Sequence, residues 1–353
     1  MNMMAAVLFE GPEKLQVATL PRPECGPDEA ILQVAACGIC GGDVRSYFLG
    51  DNFTGKSCIP GHEAVGIASD VGQNVTRWKV GDRIALGADV RCGDCYYCHR
   101  DLFNMCDNLK ILGKHMNGAL TDYMLLTSEI LNHGIIHEVP PNLKTLHAAL
   151  SEPLCSVLAS HDELNIGKGE TVVVLGCGPM GILHFELLRA RQVRVVLVDV
   201  SEVRLDRARR DFGAELTICS VGTHVTDRVL ALTDGVGADV VISAAPSGAA
   251  VRQAIELARK RGRIGVFGGL PAAQAEVSID VNRVHYRELR VIGNFSYHPS
   301  YHERALQMLA GGTIRCEALI TQYRIEDTEQ GLLDIRDGKV LKAVVVPNDG
   351  TLI

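Results

Sequence analysis

The chain has 353 residues, 47% hydrophobic and 22% charged, with 35 Lys+Arg against 42 Asp+Glu and a formal net charge of −7. Such a length allows two or three domains with their own cores, and the balance excludes disordered, collagen-like and coiled-coil chains. Without a basic run, an apolar stretch of ~18 residues, or signal-peptide features in Met1–Gly11, neither nucleic acid nor membrane is an expected partner, and a soluble cytoplasmic protein is the expectation.

Chemistry-bearing residues begin at Cys37-Gly-Ile-Cys40-Gly-Gly-Asp43, followed about twenty residues on by Pro60-Gly-His62-Glu63. Each fragment alone is weak, since a single histidine is usually a satisfied core residue. Together they offer a thiolate, an imidazole and one or two carboxylates, a mixed donor set that suits zinc. Asp43 is a candidate to hold the other imidazole nitrogen of His62 and fix its tautomer. An incomplete protein ligand set leaves one position for water or substrate, which is the mark of a catalytic rather than a structural metal.

Twelve cysteines are many for a chain without an export signal, and four of them, Cys92, Cys95, Cys98 and Cys106, fall in one short segment. Two-residue gaps followed by a seven-residue gap let four thiolates converge on one point about 2.3 Å away, as around a structural Zn2+. Bacterial iron–sulfur spacing differs, with a three-residue final gap and a following proline. His99 is read as a bystander. Further on, Ser151-Glu152-Pro153-Leu154 places a carboxylate at a helix start.

From Thr171 a β-branched run leads into Gly176-Cys-Gly178-Pro179-Met180-Gly181 and then a helical pattern; a second strand, Val193 to Val198, ends at Asp199. Glycines at these spacings allow a tight turn, close approach of a pyrophosphate and close helix–strand packing, while the helix N-terminus attracts the phosphate. Asp199 can accept from the ribose hydroxyls and repels a 2′-phosphate, so NAD is expected over NADP. Further elements follow in order: a helix over Arg204 to Phe212, a strand over Leu216 to Cys219, a strand over Ala238 to Ala244, a helix over Ala249 to Arg259 and a strand over Gly262 to Phe267. This alternation specifies a doubly wound parallel sheet. Arg204 reads equally as a cover for the adenosine or as one charge on a solvated face.

The order Cys-Gly-Ile-Cys-Gly-x-Asp, Gly-His-Glu, Val80-Gly-Asp-Arg83, the four-cysteine lobe, Glu-Pro-Leu and Gly-x-Gly-x-x-Gly resembles the zinc-dependent medium-chain dehydrogenases, most of all the sorbitol (polyol) dehydrogenase branch. The resemblance implies an α/β architecture: a GroES-like β-rich catalytic domain from residues 1–156 and 293–353, with a structural-zinc lobe near 91–107, around a Rossmann NAD-binding domain of residues 157–292. It also implies two zinc ions per chain, NAD, a homodimer or homotetramer, and oxidation of a small secondary alcohol such as a polyol to the ketone. Catalytic-zinc ligands carry over to Cys40, His62 and Glu63, with Glu152 an alternative or water-linked ligand and Cys155 a weaker substitute. Phe267, Gly269, Asn294 and Phe295 carry over to the nicotinamide end and Tyr297 to the substrate pocket; Arg45, at the pocket mouth or paired with a cofactor phosphate or a surface acid, and Ser46 are further substrate candidates of this sequence.

Three departures stand out. Gly42 replaces the hydroxyl residue that often passes the substrate proton, Arg45 replaces the histidine that ends that relay, and Ser296 replaces an arginine beside the pocket tyrosine. The expected proton exit is therefore a water chain assisted by Glu152 or Ser46. Arg45 keeps an anionic substrate open, a sugar-alcohol phosphate or a sugar acid. Threonine fits less well, because Gly293 to Tyr297 lacks the Gly-Arg of threonine dehydrogenases. Loss of the relay favours a non-catalytic dinucleotide-binding protein, against which stands the retained ligand set.

Overall fold

The computed structural model describes residues 2–50 and 54–347. Two compact units emerge, one formed by Met1–Cys155, Tyr297–Gly312 and Leu319–Ile353, the other by Ser156–Ser296 and Thr313–Ala318. The division at the C-terminal side therefore falls at Tyr297 rather than 293. The reason is the strand Arg290–Gly293, which pairs with Ala258–Val266 at the edge of the second unit's sheet. Thr313–Ala318 also joins that unit: the Arg315 amide donates to Glu186 Oε2 at 3.0 Å.

The first unit is β-rich. Its main sheet runs Ile320–Tyr323, Lys342–Val345, Ala30–Gly38, Glu63–Val71, Arg83–Val90 and Lys110–Ile111, with further pairing from Tyr123–Leu126 and Gly134–Glu138. All pairs are antiparallel except the first. Ala30–Gly38 is buried along almost its whole length, because strands pair on both its edges and Leu32, Val34 and Cys37 belong to the hydrophobic core. Lys342 comes from the C-terminal part of the chain, yet its strand pairs with Ala30–Gly38 at Val344↔Gly38. The ends of these strands and the helix Gly41–Leu49 carry the candidate metal ligands.

The second unit has six parallel strands in the order Thr217–Cys219, Arg194–Asp199, Thr171–Leu175, Ala238–Ser243, Ala258–Val266 and Arg290–Gly293. The order reverses between Thr171–Leu175 and Ala238–Ser243, the switch point at which such sheets bind ligands. Val172, Val173 and Val174 are fully buried, as expected of a sheet covered on both faces. The expected helix over Ala249 to Arg259 is shorter: it spans Gly248–Leu257, and the strand begins already at Ala258, drawn in by pairing with Ala238. Helices Val225–Leu232 and Val281–Tyr286 had no expectation of their own. Among the described residues no helix is long and apolar enough to cross a membrane.

Candidate active site

Cys40 caps the helix Gly41–Leu49 in a capping box: its Sγ accepts from the Gly42 amide at 3.3 Å, and Asp43 Oδ2 accepts from the Cys40 amide at 2.9 Å. Two amides at a helix start thus orient a thiol and a carboxylate. Glu63 opens the strand that pairs with Ala30–Gly38 at Gly38↔Glu63, and His62 directly precedes it. The result is a cluster in which one ligand atom each from Cys40, His62 and Glu63 lies within 4.8 Å of the others. His62 and Glu63 are 5% and 1% exposed.

The electrostatics of this cluster are those of a cation site. Burial pulls the His62 imidazole down, but the carboxylate of Asp43 and the thiol of Cys40 outweigh it and lift the pKa to about 10. Sulfur, nitrogen and oxygen donors converge in a water-poor recess, and His62 Nδ1 is buried without a hydrogen-bond partner among the described residues. The donor set therefore fits a zinc ion. Asp43 does not fulfil its expected role by a direct bond: Oδ1 stands 3.8 Å from His62 Nδ1, an ion-pair rather than a hydrogen-bond distance, because its other oxygen is committed to the Cys40 amide.

Glu152 lies outside this three-residue cluster. Its Oε1 accepts from the Tyr297 hydroxyl at 2.9 Å, and that hydroxyl in turn accepts from the Ala88 amide at 3.3 Å. Burial pushes the Glu152 carboxyl up to about 7, with the His62 charge and the Tyr297 bond opposing. Tyr297, expected as a pocket-lining residue, is 2% exposed and acts on Glu152 instead. Cys155 turns its thiol to the Ser151 carbonyl, 2.9 Å away, so it is spent on its own helix rather than on a metal. Ser46 lines a pocket together with Asp43, Thr54 and Lys114, whereas Arg45 is half-buried and does not line it.

Sequence reasoning missed Lys342. Its buried ammonium is ion-paired with Glu63 and donates to the Ile39 carbonyl at 3.0 Å. Burial lowers the Lys342 pKa, but the Glu63 carboxylate reverses this and leaves it raised. No local spacing marks this lysine; a charged residue inside the apolar run Val340 to Val346 is its one trace.

In the four-cysteine lobe, ligand atoms of Cys92, Cys95, Cys98 and Cys106 lie within 4.8 Å of one another. The Cys92 amide donates to Cys106 Sγ at 3.3 Å and the Asp94 amide to Cys92 Sγ at 3.5 Å, contacts that stabilise thiolates. Amide bonds from Cys98, and then from Asp107 and Tyr97, outweigh burial and hold the Cys95 thiol down at about 6. Four converging thiols, none in a disulfide, fit a closed zinc site. His99 is exposed and pairs with Asp94 at 3.2 Å, outside the cluster.

In the second unit the glycine turn joins Thr171–Leu175 to the helix Pro179–Ala190, with Gly178 at the N-cap and Pro179 and Met180 in the first turn. Gly176 has φ 112°, and a Cβ on Gly181 would stand 1.8 Å from the Gly176 carbonyl. A Cβ on Gly178 would meet no protein atom within 4 Å. The first and third glycines are thus demanded by the fold, while the space beside the second is left for a ligand, as a dinucleotide pyrophosphate requires. Asp199 accepts from the amides of Cys177 at 2.6 Å and Ser201 at 2.8 Å, and Arg204 stands 3.9 Å away. Arg204 therefore pairs at the strand end and is not merely one charge on a solvated face. Phe267 packs edge-on against His184, with ring centroids 4.5 Å apart, and Asn294 accepts from Ser160 at 3.1 Å. Phe295 is 54% exposed, and a Cβ on Gly269 would meet nothing within 4 Å.

Residues 26–140 match the alcohol dehydrogenase GroES-like domain family and residues 179–311 the zinc-binding dehydrogenase family. A sorbitol dehydrogenase of Halalkalibacterium halodurans is 30% identical over 93% of this chain and 94% of its own length. The chain belongs to the zinc-dependent medium-chain dehydrogenases. A D-arabitol-phosphate dehydrogenase of Enterococcus avium is 29% identical over 96% of this chain and 95% of its own. Among solved structures, a zinc-binding dehydrogenase from Sinorhizobium meliloti 1021 bound to NADP superposes with a TM-score of 0.90 at 30% identity, covering 98% of this chain and all of its own. The two units of this dehydrogenase are accordingly a GroES-like and a Rossmann domain, and the enzyme is an oxidoreductase acting on CH–OH groups.

Proposed function

We propose that this dehydrogenase oxidises a secondary alcohol of a polyol to the ketone, with zinc at Cys40, His62 and Glu63 and a nicotinamide dinucleotide at the glycine turn. The observation that carries this reading is the buried cluster of three unlike donors beside Glu152, a carboxyl held near neutrality. Zinc bound there supplies Lewis acidity to the alcohol oxygen, and the dinucleotide supplies the hydride acceptor. Cys40, His62 and Glu63 hold the metal, and Asp43 fastens the helix start through the Cys40 amide and stands 3.8 Å from His62 Nδ1. Glu152 takes up the alcohol proton, for which a pKa of about 7 is well matched. Tyr297 orients Glu152 through its hydroxyl. Cys92, Cys95, Cys98 and Cys106 hold a second zinc whose role is structural.

The charge of Asp199 favours NAD, since a 2′-phosphate would be repelled; Arg204 beside it is the group that would offset that repulsion. The test combines metal analysis with a screen of polyols against NAD and NADP, read as NADH or NADPH formation. Two zincs per chain and turnover with a polyol support the reading. Cys40→Ser and His62→Ala should each lose one zinc and all turnover while keeping the other zinc. Turnover that survives both substitutions refutes the assignment.

A further inference from the structure

Beside Gly42, in the turn that carries Cys40, lies a cation that the chemistry above does not use. A Cβ placed on Gly42 would stand 3.7 Å from Cys40 Sγ and 3.6 Å from Nζ of Lys114. The Cβ position of Gly42 thus lies in van der Waals reach of both the Lys114 ammonium and the thiol of a candidate metal ligand. Lys114 is half-buried, and among the described residues no hydrogen bond or ion pair engages its Nζ. It shares a pocket lining with Asp43, Ser46 and Thr54.

The position is built, not accidental. The Lys114 amide donates to the Ile111 carbonyl at 3.2 Å, and the Gly113 amide to the Met116 carbonyl at 2.8 Å. The same turn is fastened to the segment leading into His62, through Gly118 to Ile59 at 2.7 Å and Ala119 to Gly61 at 3.0 Å. Lys114 is therefore held in register with the candidate metal ligands. A half-buried ammonium carries three donors and no acceptor, so it cannot take up a proton while charged. What it can do is bind an anionic oxygen, through a charge-assisted hydrogen bond in the pocket it lines.

We infer that Lys114 is a specificity-determining residue that binds an anionic group, a carboxylate or a phosphate ester, on the alcohol substrate. This rests on the polyol dehydrogenase reading and narrows it to sugar acids and polyol phosphates. The proposal is tested with zinc-loaded enzyme by comparing kcat/KM for sorbitol, gluconate and sorbitol phosphate in the wild type, Lys114→Met and Lys114→Arg. An anionic substrate should be preferred by the wild type. The ratio of anionic to neutral kcat/KM should fall about tenfold or more in Lys114→Met and be largely kept in Lys114→Arg, as expected for a charge-assisted hydrogen bond. Whichever of gluconate and sorbitol phosphate shows the larger fall identifies the anionic group. An unchanged ratio, or a wild type that prefers sorbitol, overturns the inference. If no alcohol is oxidised, the dehydrogenase reading fails by itself. Lys114 is then judged by titration calorimetry with inorganic phosphate and gluconate: loss of binding in Lys114→Met supports the inference, and binding that is absent or equal in both proteins overturns it.

Discussion

The ammonium of Lys342 is ion-paired with the carboxylate of Glu63, at two positions far apart in sequence that the pairing of neighbouring strands brings together. Both are almost fully buried, at 4% and 1% exposed. Removing one partner leaves an uncompensated buried charge, which costs about 3–5 kcal/mol. Lys342→Met should therefore destabilise the metal-free protein by that order in urea unfolding. The loss should shrink when zinc is bound, because the metal then meets the Glu63 charge. Equal losses in the two forms would show that Glu63 does not face the metal.

Gly178 and Gly181 should respond in opposite ways to alanine. Gly181→Ala drives a Cβ to 1.8 Å from the Gly176 carbonyl, so the turn must move and the second domain should lose stability by about 2 kcal/mol or more in thermal or urea unfolding. Gly178→Ala meets no protein atom and should unfold like the wild type. Its added methyl occupies ligand space, so dinucleotide affinity, measured by fluorescence titration, should fall about tenfold or more.

His302 provides an acid-stability prediction. Burial, and then the neighbouring His137, lower its pKa to about 3. Its Nε2 lies 3.0 Å from Ser151 Oγ, which donates onward to the Ala148 carbonyl, so Nε2 carries the proton and Nδ1 accepts from His137 at 3.0 Å. An unfolded histidine titrates near 6.5, so the unfolded chain binds the extra proton between the two values. Stability from this site is complete above about pH 6.5 and is lost as pH falls towards 3, by about 2 kcal/mol at pH 5. Glu152, raised to about 7, works in the opposite sense, so the comparison is with His302→Gln. Between pH 7 and pH 5 that variant should lose about 2 kcal/mol less than the wild type in urea unfolding. Parallel losses would mean that His302 is not buried neutral.

Cys95→Ser should remove one of the two zincs and lower the melting temperature, since a structural metal contributes its binding free energy to folding. The remaining zinc should still be lost on Cys40→Ser. A Cys95→Ser protein that retains two equivalents would place the structural ion elsewhere.

Much of the site was legible because its signals are local. The gaps between Cys92, Cys95, Cys98 and Cys106, the glycine turn from Gly176 to Gly181, and Asp199 at a strand end each sit within one supersecondary unit, where spacing dictates geometry. The resemblance places Tyr297 in a substrate pocket, and the structure shows its hydroxyl on Glu152. Spacing places a residue near a site, whereas its hydroxyl partner depends on which buried group lacks a donor, here Glu152. The helix ends at Leu257 rather than Arg259 for a related reason: pairing of Ala258 with Ala238 outweighs the good helical preference of Ala258, Arg259 and Lys260.

Residue order and type alone determined that this chain alternates strands and helices around a glycine turn, gathers four thiols in one lobe and offers a mixed metal donor set. Only the tertiary structure decided what surrounds those donors. Lys342 reaches Glu63 through strand pairing, Lys114 comes to the Gly42 turn through the fastening of its own turn to the segment before His62, and Glu152 stays near neutrality because burial withholds water. Charge and desolvation act through space, and the distances that govern them exist only once distant segments have packed together.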